Sequence, residues 1–338
     1  MTKKSTKKDW DFCRTILPKV SRTFAINIGH LDGDIFRTVL IGYLLFRIAD
    51  TFEDNIFRDE NRKVIDLMDY SRAFEGDKTL NERLRVYEPL KSRWDEKSHE
   101  KYLIEKGDSV LSCYFDLPVV YREIIDPLIV ESVTGMSKFQ QMKADSRDKI
   151  FQLKDIGELE NYCYYVAGVV GKMLTAIFSQ SKNISRARSR LERHNVQFGL
   201  ALQFVNVIKD YTKDIERGWC YIPLTVTKKY DIDLDSIANL TPGQREGIVK
   251  DLLVPAVSYL DSTLEYIKLL PLDEMNIRMF CIIPFVLAYM TLAKLIRLEG
   301  NKLTRLEVAC LLDKCRAFAE SNLKLERHYL GIKKEYFI

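Results

Sequence analysis

Asn206, Asp210 and Asp214 stand four residues apart within Phe198–Pro223, FGLALQFVNVIKDYTKDIERGWCYIP. An α-helix turns once every 3.6 residues or about that, so the three lie in one row along one face. The residues between them, Val205, Val207, Ile208, Tyr211 and Ile215, are largely apolar. A helix apolar around most of its girth is covered by its neighbours, and unpaired carboxylates are costly to bury. The chain must therefore fold so that positive charge meets this row. Hard oxygen donors suit Mg²⁺, which keeps several waters and also takes substrate phosphate oxygens.

A second acidic row lies far upstream. In Tyr43–Asp54, YLLFRIADTFED, the residues Asp50, Glu53 and Asp54 fall at i, i+3 and i+4 and share a helix face. Arg47 and Tyr43 continue that stripe one and two turns back, after the apolar run Val39–Leu45. Taken singly, a DxxED stretch on a helix is more often an exposed acidic patch. Two such rows on apolar helices, each with a basic neighbour, suit several Mg²⁺ ions held around a diphosphate.

Further motifs point the same way: SRTFA at Ser21–Ala25, YCYYVAGVVG at Tyr162–Gly171, RGWCYIP at Arg217–Pro223 and FCIIP at Phe280–Pro284. With DTFED and NVIKDYTKD, they make the chain resemble the squalene/phytoene synthases, the head-to-head prenyl transferases, from about Ser21 to about Val308, with bacterial-type squalene synthases as the nearest pattern. The resemblance implies an all-α, single-domain isoprenoid-synthase helical fold with a central cavity. It implies Mg²⁺ on Asp50, Glu53, Asp54, Asn206, Asp210 and Asp214. Ser21, Arg22, Arg47, Gln203, Lys209, Arg217 and Tyr221 would bind substrate diphosphates. Tyr162, Arg47, Tyr43 and Lys209 would take catalytic parts, Tyr162 matching the tyrosine that assists proton loss. Lys302 and Arg305 in KLTRLEV, with Phe280, Cys281 and Pro284, would meet NADPH. There is no GxGxxG after a strand, so a dinucleotide would lie on a helical surface.

The implied reaction joins two farnesyl diphosphates through presqualene diphosphate and reduces the product to squalene. The alternatives are a dehydrosqualene or phytoene synthase, which omits the reduction, and a non-catalytic relative acting as an assembly factor. Two departures bear on the reductive step. Lys209 stands where squalene synthases usually carry Arg, and Phe285 where many carry Gln. A head-to-tail prenyl transferase or terpene cyclase would instead carry DDxxD-type motifs.

Composition narrows the class further. The 338 residues are 46% hydrophobic and 30% charged, and the net charge of +4 gives no reason to expect nucleic acid. Seven cysteines without CxxC pairs suggest reduced thiols and a cytoplasmic setting. No apolar run follows the basic N-terminus as in a signal peptide. The longest, Met279–Met290, falls short of the roughly 20 residues of a membrane span. A monomer without a transmembrane anchor is expected, with peripheral membrane contact to release an apolar product.

Residues 1–8 read as a disordered basic tail and 9–338 as one helical domain. Helices are expected at Trp10–Leu17, Gly33–Asp54, Asn61–Phe74, Asp108–Tyr114, Asp116–Asp145, Leu153–Ser179, Ile184–Lys213, Thr241–Leu269, Asn276–Arg297 and Arg305–Leu330. The charge-rich Glu75–Glu105 reads as an exposed rim. Ala167, Gly168 and Gly171 leave two readings open, close helix packing or room for a prenyl chain.

Overall fold

The computed structural model describes residues 5–56, 58–92, 98–146 and 148–337. Met1–Lys4, half of the expected tail, lie outside them. The rest of that tail is not irregular. The first helix, Lys7–Val20, starts at a capping box in which Thr6 Oγ1 accepts from the Asp9 amide (3.3 Å) and the Asp9 carboxylate from the Thr6 amide (2.8 Å). The fold is helical, with one two-residue parallel bridge of Phe151–Gln152 and Trp219–Cys220.

Residue contacts divide the chain into two compact units, Met1–Arg147 with Ala176–Phe178, and Asp148–Thr175 with Ser179–Ile338. In the first, Gly33–Glu53 is the central helix. Leu40, Ile41, Leu44, Leu45 and Ile48 are buried there, among Lys7–Val20, Glu60–Arg72, Gly107–Phe115 and Val119–Ser146. The charged stretch after Glu75 is anchored rather than wholly solvated. Leu80, Arg83 and Tyr87 are buried at helical spacing on Leu80–Tyr87, and Arg83 pairs with Asp126 beneath the Phe74, Tyr114 and Phe115 rings. Its residues 93–97 lie outside the described residues.

In the second unit the expected helix Leu153–Ser179 is interrupted. Ile156–Cys163 and Val169–Phe178 are joined by a π-helical turn at Tyr164–Gly168. The helix expected from Ile184 begins instead at Asn195 and runs to Glu216. It crosses the glycine-bearing segment backbone to backbone. A Cβ on Gly171 would lie 2.0 Å from the Asn195 carbonyl oxygen, and one on Gly199 2.2 Å from that of Ala167. At this crossing the two readings are decided in favour of close packing.

The long helix expected at Arg305–Leu330 is two, Arg305–Ala319 and Asn322–Ile332. Arg278 explains the break. Its guanidinium is wholly buried and donates to the carbonyls of Ala319 (2.7 Å), Ile267 (2.9 Å) and Leu270 (2.7 Å) and to Asn322 Oδ1 (2.7 Å). The chain ends of two helices, where carbonyls lack intrahelical partners and carry partial negative charge, thus neutralise a cation that has no carboxylate partner among the described residues. The Met275–Ile296 helix that carries Arg278 is long and apolar enough to cross a membrane by length and composition; 78% of its most apolar window is buried, as in a core helix.

Two outcomes follow. Gly171→Ala and Gly199→Ala each lower stability by about 1–3 kcal/mol through overpacking, whereas Gly331→Ala, with open space around its Cβ position, raises it by up to about 1 kcal/mol; thermal melts of the three variants check this. Hydrogen bonds from Lys294 and Thr304 hold the Glu307 carboxyl down at about 2 from its ordinary 4.5. Its folded pKa is depressed, so its contribution is complete above about 4.5 and is lost as pH falls toward 2. Glu307→Gln flattens the dependence of Tm on pH across that interval.

Candidate active site

In the first unit, Ser21 and Arg22 sit where the first two helices meet, and Tyr43, Arg47, Asp50, Glu53 and Asp54 follow on the Gly33–Glu53 helix and its C-cap. Ser21 ends the first helix and caps the next, Arg22–Ile28, its hydroxyl accepting from the Phe24 amide at 3.3 Å. The Tyr43 hydroxyl has its pKa raised because burial outweighs the lowering effects of nearby Ser21 and Arg47. Arg47 donates to Glu100 at 3.1 Å. Asp50 follows one turn on. Burial, opposed by Arg47 and assisted by Asp54, pushes its carboxyl up to about 7. Glu53 is buried and Asp54 exposed. Gln140 reaches from the Val119–Ser146 helix toward the Glu53 carbonyl (3.5 Å), and its own buried Oε1 has no hydrogen-bond partner among the described residues. Arg22 is exposed. Glu100 and Gln140 were not legible in the sequence, since each comes from a separate helix with no local motif.

In the second unit the Asn206–Asp210–Asp214 row descends from exposed Asn206, through part-buried Asp210, to buried Asp214; Gln203 extends it one turn back, half-buried. The row is matched by cations of its own helix end. Lys209 Nζ donates to Asn206 Oδ1 (2.9 Å) and lies 3.0 Å from Asp210; Lys213 donates to Asp210 (2.9 Å) and Arg217 to Asp214 (2.6 Å). Part-burial would raise the Asp210 pKa, but the bonds and charges of Lys213 and Lys209 bring it below the usual range. Lys213, at i+3 from Asp210, was within reach of sequence reading. Lys302 comes close enough to Lys213 that their mutual repulsion lowers the Lys302 pKa, a strain that an anion would relieve. Lys302 and Arg305 are exposed, whereas Phe280, Cys281 and Pro284 are buried in the Met275–Ile296 helix.

Gly218, at φ 78°, turns the chain out of the helix into the short bridge. There Trp219 and Tyr221 stack (5.3 Å between ring centres, 9°), and Tyr221 stacks on Tyr162 (4.5 Å, 22°), its hydroxyl donating to the Tyr162 hydroxyl at 2.8 Å. All three rings are buried. Tyr221 thus contacts the catalytic candidate Tyr162 directly. Phe285, which stands where many squalene synthases carry Gln, lies fully buried against Tyr289 and Tyr329.

The donors fit Mg²⁺. Among the described residues no three His, Cys, Asp or Glu side chains converge on a point, because residues four apart on a helix are separated by about 6 Å along its axis. That spacing suits an ion bound by one or two carboxylates and completed by phosphate oxygens and water rather than by an all-protein cage. The raised Asp50 and the unpartnered Gln140 Oε1 are what a site short of positive charge leaves behind.

The chain matches the family described as squalene/phytoene synthase over residues 17–311. It is 30% identical to the squalene synthase of Schizosaccharomyces pombe over 84% of its own length and 59% of that protein's. It is also 30% identical to that of Dictyostelium discoideum, over 84% and 63%. The chain therefore spans about six tenths of these relatives. The structure of TcSQS with the ligand BPH1237 superposes with a TM-score of 0.77 at 22% identity, covering 96% of this chain and 91% of that one. A helical fold shared with solved squalene synthases and a match covering most of its residues make this chain a member of the squalene/phytoene synthase family.

Proposed function

We propose that this chain joins two farnesyl diphosphates head to head through presqualene diphosphate and reduces the product to squalene. The observation that carries this is the Asn206–Asp210–Asp214 row with Lys209, Lys213 and Arg217 interleaved. The names of its curated relatives agree. When bound by Asp50, Glu53, Asp54, Asn206, Asp210 and Asp214, Mg²⁺ supplies positive charge against a leaving diphosphate, and NADPH at Lys302 and Arg305 supplies hydride.

The chain's own side chains do the rest. Arg22, Arg47, Lys209 and Arg217 are cations on long stems that can turn from their carboxylate partners to phosphate oxygens, Arg bidentately. Ser21 and Gln203 add neutral hydrogen bonds. Tyr43 lies one turn before Arg47 on the same helix face, near enough for their electrostatics to be linked, and would help to position it. The Tyr162 oxygen, oriented by Tyr221, is placed to hold or pass a proton, and the Trp219–Tyr221–Tyr162 stack keeps water from it. Aromatic faces also favour a nearby cation. An apolar product leaves toward lipid, so a cytoplasmic monomer touching the membrane peripherally completes the proposal.

A second reading, a dehydrosqualene or phytoene synthase without the reductive step, is favoured by the burial of Phe280, Cys281 and Pro284 and by apolar Phe285. Incubation with farnesyl diphosphate and Mg²⁺, with and without NADPH, separates the two. Squalene formed only with NADPH is the expected result; dehydrosqualene in both mixtures selects the second reading. No diphosphate release from any prenyl donor sinks both.

Asp210→Asn lowers the rate of diphosphate release by on the order of 10²–10³, the usual effect of removing one electrostatic stabiliser, while the melting temperature stays near wild type. Protonation of Asp50 competes with a cation, so the Mg²⁺ concentration giving half-maximal rate rises as pH falls below about 7. A requirement that stays level between pH 8 and pH 6 would contradict this.

A further inference from the structure

On the face of the Asn195–Glu216 helix opposite the acidic row, the second unit holds a cavity of about 300 Å³. That is the lower end of the range for small-molecule sites. Ile208, Ile248, Val249 and Leu295 give it apolar walls.

Three observations mark it as more than a packing defect. Tyr211 is on its lining, and among the described residues its hydroxyl, buried just behind the wall, has no hydrogen-bond partner; a hydroxyl left so costs free energy that a ligand oxygen reaching it would recover. Arg245, also on the lining, is exposed, and among the described residues its guanidinium has no ion pair or side-chain hydrogen bond. Leu298 has φ 57°, at a helix end closed by bonds from its own amide to the Leu295 carbonyl (3.1 Å) and from the Glu299 amide to that of Lys294 (3.2 Å). Glycine is usual at such a position. A leucine there is strained, and its side chain forms part of the cavity wall.

We propose that this cavity binds a small anionic amphiphile. Its apolar chain lies among Ile208, Ile248, Val249 and Leu295, its anionic head meets Arg245, and an oxygen bonds the Tyr211 hydroxyl. The site is separate from the acidic row but connected to it. Lys209 lines the cavity and bonds Asn206, and Asn301, also on the lining, donates to the Lys209 carbonyl at 3.2 Å. A bound amphiphile would therefore press on the lysine that gathers the row's oxygens.

The test is calorimetric titration of the intact chain with decanoate and, separately, geranyl monophosphate. Saturable one-to-one binding is expected for at least one probe. The tighter of the two assigns the head and chain to a fatty acid or to an isoprenoid. Arg245→Glu, on the surface and not expected to disturb folding, weakens Kd at least tenfold, and Tyr211→Phe weakens it severalfold. Leu298→Gly raises the melting temperature while weakening binding. Arg22→Glu, which removes an expected diphosphate contact in the other unit, leaves Kd unchanged. Absence of saturable binding by both probes overturns the proposal, as does a Kd indifferent to Arg245→Glu or one lost in Arg22→Glu.

Discussion

At Asn195 and Gly199 the Asn195–Glu216 helix lies backbone to backbone against Gly171 and Ala167, and the candidate site of the second unit depends on that contact. Gly171 and Gly199 lack the Cβ atoms that would hold the helices apart at these two points. Close approach fixes where the long helix begins, hence which turn carries Asn206, Asp210 and Asp214. It also sets the helix end from which Gly218 turns the chain so that Trp219 and Tyr221 reach Tyr162. Glycine in a helix costs about 1 kcal/mol relative to alanine, less than the clash an added methyl would cause here.

The two acidic rows meet the cost of burial differently. Along Asn206–Asp214 the cations are interleaved on the same helix end, and Asp210 remains readily ionised. Along Asp50–Asp54 the compensation is thinner. Arg47 shares its charge with Glu100, and Asp50 is held near the edge of protonation. The first arrangement is a reservoir of cations that can be lent to phosphate. The second is a deficit that a metal would fill. Buried ion pairs add little net stability, so the pairs around the second row are better understood as poised than as structural.

Arg278 shows the opposite use of charge. Its hydrogen bonds are to helix-end carbonyls and one amide side chain, with no exchangeable carboxylate partner among the described residues. It fixes the packing of Met275–Ile296 against the helices on either side. The same helix thereby carries an apolar stretch of membrane-like length in the interior of the unit. Arg83 beneath its three rings plays the corresponding part in the first unit, and it anchors a segment whose composition alone suggests a solvated rim.

Periodicity and local chemistry were sufficient for the helical class, for the two rows and for the order of the motifs, because each is a property of residues within a turn or two of one another. The 3.6-residue repeat places Asp50 with Glu53 and Asp54, and Asn206 with Asp210 and Asp214, whatever surrounds them. The break at Asn195, the π-helical turn after Cys163, the two-residue bridge and the partners Glu100, Gln140 and Asn301 had no such local signal. They arise from contacts between residues dozens of positions apart, so only the packed chain decides them. The same holds for whether a glycine pair makes room or closes it. Sequence supplies the missing methyls, and the crossing of two backbones determines what occupies the space.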